Sequence, residues 1–123
     1  MAYHVDQLFA AVSVLVTHGP VKQRLMRAYE DNLDEINSED LPFSVQESFA
    51  ELQRLMHSVS PMNGEGPICA SVRKMSKEQA DDCSQRIVKI YGEVARVADD
   101  AEMGVPLNKD EPAIVPPFLV KSG

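Results

Sequence analysis

The sequence predicts an all-α protein: an up-and-down four-helix bundle with a short extra helical turn and an extended Pro-rich C-terminal tail. Three observations carry that expectation. From Ser76 to about Met103 the apolar residues Ala80, Cys83, Ile87, Ile90, Val94, Val97 and Ala101 recur at alternating steps of three and four, the spacing that stacks side chains on one helix face. Three earlier stretches carry the same period and are separated by Gly- or Pro-containing breaks. With no Trp and only 6% aromatic residues, the core must come from Leu, Val, Ile, Ala and Met, which favours helix-on-helix packing.

Residues Val5 to Thr17 form the first helix. Leu8, Phe9, Val12, Leu15 and Val16 share one face, while Ala10, Ala11 and Val14 fill much of the rest. A helix apolar nearly all round has to be covered on most sides, by the middle of a bundle or by another copy of the chain. His18-Gly19-Pro20 ends it: Gly19 frees the backbone and Pro20 is pre-set for the first position of a new helix.

The second helix runs from Pro20 to about Asn37, with Val21, Leu25, Tyr29, Leu33 and Ile36 facing inward. Its outer face has Lys22, Arg24 and Arg27 first and Glu30, Asp31, Asp34 and Glu35 last. This order opposes the helix dipole at a cost of a few tenths to about 1 kcal/mol per charge. Such local inconsistencies sometimes mark binding faces.

Ser44 and Glu47 have capping-box spacing and predict the start of a third helix, whose stripe is Val45, Phe49, Leu52, Met56 and Val59. Ser60-Pro61 stops it. After the turn at 62–66, Pro67 opens one or two turns through Ile68, Val72 and Met75. Ser76 and Gln79 repeat the capping-box spacing at the head of the longest helix. Beside its main seam runs a second row, Ala80, Ser84, Val88, Tyr91, Ala95 and Ala98, so this helix should touch two neighbours. Gly104 and Pro106 end it.

Residues 1–104 thus form one helical domain, and a chain of 123 residues is long enough to bury a real core. Residues 105–123 form an extended apolar tail. Its prolines exclude a long helix, yet Ile114, Val115, Phe118, Leu119 and Val120 are unlike a polar disordered terminus, so the tail is expected to dock.

The formal charge is −7, from 19 acidic against 12 basic side chains, which disfavours a phosphate backbone as partner. No nucleic acid is expected. The apolar run from Leu8 to Val16 follows Asp6 and no base, so it makes a poor signal peptide and is too short to span a membrane. The expectation is a cytoplasmic protein with free thiols at Cys69 and Cys83.

Chemistry-bearing patterns are sparse. There is no Glu-x-x-His for a di-metal bundle, and His4, His18 and His57 lack patterned acidic or thiol partners, so neither metal nor cofactor is expected. Cys69 follows a Gly-Pro turn and has Arg73 and Lys74 nearby, the setting that favours a thiolate, but no orienting His and acid accompany it. No catalytic set emerges. Arg73, Lys74, Ser76 and Lys77 form a candidate anion site at a helix start, although Gly64 and Gly66 match no phosphate-binding motif.

No family signature is legible in these motifs. The functional expectation is therefore an interaction or regulatory protein, as a homodimer or with an unidentified protein partner. Its candidate surface comprises Leu8, Val12, Leu15, Ile114, Val115, Phe118 and Leu119. The alternative is a small-ligand or anion binder, or an enzyme, using the Gly64–Lys77 segment.

Overall fold

The computed structural model describes residues 2–61 and 64–102. The tail 105–123, with Ile114, Val115, Phe118 and Leu119 and the expected docked strap, lies outside the described residues, as does the side chain of Ala101. After a 3-10 turn at Ala2–His4 come α1 (Val5–Leu15), α2 (Val21–Asn32), α3 (Phe43–Met56), α4 (Pro67–Lys74) and α5 (Lys77–Glu102), with a second 3-10 turn at Ser38–Asp40. The described residues are all-helical, without strands.

The 26 residues of α5 extend about 39 Å at ~1.5 Å per residue, roughly twice the length of α1 or α2. It packs against three helices, α1, α2 and α3, one more than the two-row pattern predicts. Ala80, Cys83, Ile87, Ile90 and Val94 are buried as the seam requires. They meet Leu25, Ala28, Tyr29 and Leu33 of the α2 region and Val45, Phe49, Leu52 and Met56 of α3 in one continuous core. Ser44 and Ser48 of α3 bond Glu93 and Arg86 of α5 respectively, so these helices run antiparallel. Phe9 stacks near Tyr91, while Gly19 and Pro20 share a groove with Lys77 and Asp81, so α1 is antiparallel to α5 as well. These directions are compatible with an up-and-down order, with α4 as the short extra element.

The head of α5 is capped as its sequence predicts. The Ser76 amide donates to Gln79 Oε1 at 2.8 Å and the Gln79 amide donates to Ser76 Oγ at 3.0 Å, satisfying two donors reciprocally. The same pattern at Ser44 and Glu47 does not cap. Pro42 holds the N-cap position of α3 without a side-chain bond, and the Ser44 hydroxyl instead donates to Glu93 at 3.1 Å.

The second helix stops at Asn32, not Asn37. The Tyr29 carbonyl accepts from both Leu33 and Asp34 amides, and the ensuing turn still buries Leu33 and Ile36. Ending there takes Asp34 and Glu35 out of the helix terminus, where negative charge is unfavourable. At its other end the bases have assigned work. Arg24 donates to the Leu15 carbonyl at 2.6 Å and the Gly19 carbonyl at 2.8 Å, and Lys22 donates to the Arg73 carbonyl at 3.3 Å. They cap the C-termini of α1 and α4, where cations are favoured. Gly19 has φ +110°, the left-handed conformation that closes the α1–α2 turn.

The first helix is not central. Leu8, Ala11 and Leu15 are buried, but Phe9 is 57% and Val16 77% exposed. Its neighbours are α2 and α5 on one side only, so the apolar arc is wider than the surface available to cover it.

Candidate functional site

Two features of the described residues have the makings of a site: an apolar face along α1 and α5, and a cavity where α3, α4 and α5 meet.

Phe9 of α1 and Val16, the residue that follows the helix, lie seven residues apart with half-buried Val12 between them. On α5, Val88 is 46% exposed and lies one turn before Tyr91. The Phe9 and Tyr91 rings stand 5.9 Å apart, tilted by 49°, within the range of favourable aromatic contact. Val16, Val12, Phe9, Tyr91 and Val88 thus form an apolar strip centred on the Phe9–Tyr91 contact. Gly92 beside it is open, since a Cβ there would meet nothing within 4 Å. Asp6, Ser13 and Lys89 are exposed polar residues close to these positions in sequence.

The cavity has a volume of about 300 Å³, is open to solvent, and is lined by Leu55, Ser58 and Val59 after and within α3, by Ser71, Lys74 and Met75, and by Gln79, Asp82, Cys83 and Arg86 of α5. Ser71 is the buried polar residue here, 1% exposed. Its Oγ accepts the Val59 amide proton at 3.1 Å, tying the chain after α3 to α4. Arg86 is anchored by Nη1, which donates to the Ser48 hydroxyl at 3.0 Å and to the Ser48 carbonyl at 3.4 Å. Cys83 is buried, and desolvation pushes its thiol above the usual range despite the nearby Arg86 charge. It is therefore a protonated apolar wall and no poised nucleophile. Both cysteines are free thiols.

The sequence-predicted anion set is dispersed. The Arg73 guanidinium is held by Glu65 at 2.6 and 3.2 Å, and the Ser76 hydroxyl is used by the cap. Lys77 lines a separate groove with Lys22, Arg24 and Asp81. Of the four, Lys74 alone reaches the cavity, where its cationic companion is Arg86. No sequence motif links those two, because the pairing depends on how α4, packed on α2 and α3, is placed relative to the head of α5. Among the predicted interaction residues, Leu8 and Leu15 are buried in the core and Val12 is half-buried. The exposed members of that face are Phe9, Val16 and Val88.

Glu30, Asp31, Asp34 and Glu35 line a separate acidic groove with His4, and Asp34 also pairs with His57 at 3.4 Å. Among the described residues no group of three or more His, Cys, Asp or Glu is arranged to hold a metal ion, and no helix is long and apolar enough to cross a membrane. No protein-family model, no curated protein and no solved structure matches this chain.

Proposed function

We propose that the protein is an interaction module that pairs with a second copy of itself through the α1–α5 strip. The observation carrying this reading is Phe9, a large aromatic side chain left 57% exposed against Tyr91 and flanked by exposed Val16 and Val88. Isolated exposed apolar residues are ordinary, but several gathered around an aromatic contact are the usual form of a docking face. Two copies meeting across a two-fold axis would bring the same residues of α1 and α5 together. Aromatic anchors at the centre of such a contact supply most of its energy. The net charge of −7 makes nucleic acid an unsuitable partner for the same protein, and two free cysteines suit a cytoplasmic setting.

The test is sedimentation equilibrium over a wide concentration range on the whole chain and on Phe9→Glu. The substitution alters an exposed side chain, so its circular dichroism should match the parent. A concentration-dependent dimer in the parent and a monomer in Phe9→Glu are expected. A parent that stays monomeric at high micromolar concentration, or a variant that dimerises equally well, overturns the proposal.

A further inference from the structure

The cavity between α3, α4 and α5 brings two cations together in a protein of net charge −7. Lys74 and Arg86 line it with Asp82, and the Glu51 carboxylate lies near enough to act on Arg86. The surrounding walls are Leu55, Val59, Met75 and the protonated Cys83. Two polar groups there retain unused donors. Ser71 accepts from Val59 through its oxygen, while its own proton has no acceptor among the described residues. The Lys74 ammonium likewise has no partner among them. Arg86 is fixed at Nη1 alone, which keeps its guanidinium in place and leaves its remaining N–H groups available. Few convergent donors on a mostly apolar concave wall are the usual composition of a small-molecule site.

We infer that this cavity binds a small organic monocarboxylate with a short apolar body, its head taken by Lys74, Arg86 and the Ser71 hydroxyl and its body by Leu55, Val59, Met75 and Cys83. Each alternative ligand class leaves something unsatisfied. A neutral apolar molecule leaves the donors of Lys74 and Ser71 unpaired as it excludes their water. An organic cation meets two positive groups. A dianion such as a phosphate monoester brings a second negative charge towards Asp82 and has no use for the apolar walls. A volume of about 300 Å³ is at the small end of the range for small-molecule sites, which suits a short-chain ligand. This site is separate from the α1–α5 strip, so it stands or falls independently of dimerisation.

Hexanoate is the probe, with hexan-1-ol and hexylammonium as matched neutral and cationic controls. The readout is the methyl spectrum of protein labelled at its methionine methyl groups, where Met75 lies in the cavity wall and is assigned with Met75→Leu. A saturable shift of the Met75 signal with hexanoate is expected, with the Met26 signal unmoved. Lys74→Gln, which changes an exposed side chain and spares the core, should weaken hexanoate about tenfold or more, and hexan-1-ol should bind the parent protein at least tenfold more weakly than hexanoate. Phe9→Glu should leave hexanoate binding as it is. Three results would overturn the inference: no saturable Met75 shift, equal affinity for hexan-1-ol or hexylammonium, or equal hexanoate affinity in Lys74→Gln.

Discussion

Replacing Tyr29 by Phe should stabilise the protein, against the usual direction of core substitutions. Tyr29 has no solvent exposure, and its hydroxyl has no hydrogen-bond partner among the described residues. Folding strips water from that hydroxyl and returns nothing, a penalty of about 1–3 kcal/mol. Phe keeps the ring and its edge-on contact with the His57 ring at 6.1 Å. The void left by one oxygen, on the order of 10 Å³, costs only ~0.25 kcal/mol at ~24 cal/mol per Å³. The net expectation is a gain of roughly 1–2 kcal/mol, or about 4 °C in melting temperature for each kcal/mol in a chain of this size. The same residue predicts a pH signature. Burial, with help from the Asp34 carboxylate, pushes the Tyr29 phenol well above its ordinary value. The native state therefore holds its proton at pH values where the unfolded chain, titrating near pH ~10, has lost it. Stability from this group is complete below about pH 10 and falls above it by up to ~1.4 kcal/mol per pH unit. Tyr29→Phe removes that loss, so its advantage should widen as the pH rises past 10. Urea midpoints at neutral pH and at two alkaline values measure both effects. A variant less stable than the parent at neutral pH, or a difference that stays constant into alkali, refutes the reasoning.

Ile87 is fully buried, so Ile87→Ala should cost about 2–5 kcal/mol and exposed Lys89→Ala less than ~0.5, compared by denaturant midpoints. Ser76→Ala should cost about 1 kcal/mol as a lost N-cap. Ser44→Ala, removing only an exposed bond to Glu93, should cost measurably less in the same assay. Arg24→Ala unties the ends of α1 at Leu15 and Gly19 and should lower stability by about 1–3 kcal/mol, with faster amide exchange in the last turn of α1.

Fold class was legible because it depends on period, and period is local. The seam of α5, the turn at Gly19-Pro20 and the start of α4 at Pro67 all appear where neighbouring residues alone specify them. The two capping boxes show where local reading stops. Ser76 has no competing partner and caps. Ser44 meets Glu93, 49 residues away in sequence, and an identical pattern is diverted. The breadth of the α1 arc was equally plain, but which part of it lies in water depends on where α2 and α5 stand. Hence Phe9 and Leu8, adjacent in sequence and both apolar, end on opposite sides of the solvent boundary. The cavity was the least legible feature. Its cations Lys74 and Arg86 belong to different helices, and its buried hydroxyl, Ser71, sits in a stretch whose pattern marks only Ile68, Val72 and Met75 as core.

The inverted charge order of α2 bears on how a binding site should be read from such a sequence. Taken along the helix, bases before acids look like a defect, and a defect invites a functional explanation. In three dimensions, Arg24 neutralises the end of α1 and Lys22 the end of α4, so the cost on one dipole is offset on two others. Arg73, the first member of the basic group before α5, is likewise occupied by Glu65. Each of these cations is committed to structure, and an incoming anion would have to displace a bond already made. Open to a ligand on the cavity wall are Lys74, whose ammonium has no partner among the described residues, and the N–H groups of Arg86 beyond the one nitrogen held by Ser48. Both line the same cavity. The density of bases along the chain points to residues 73–77, but of these Lys74 alone lines the cavity, and its cationic companion there, Arg86, comes from the middle of α5.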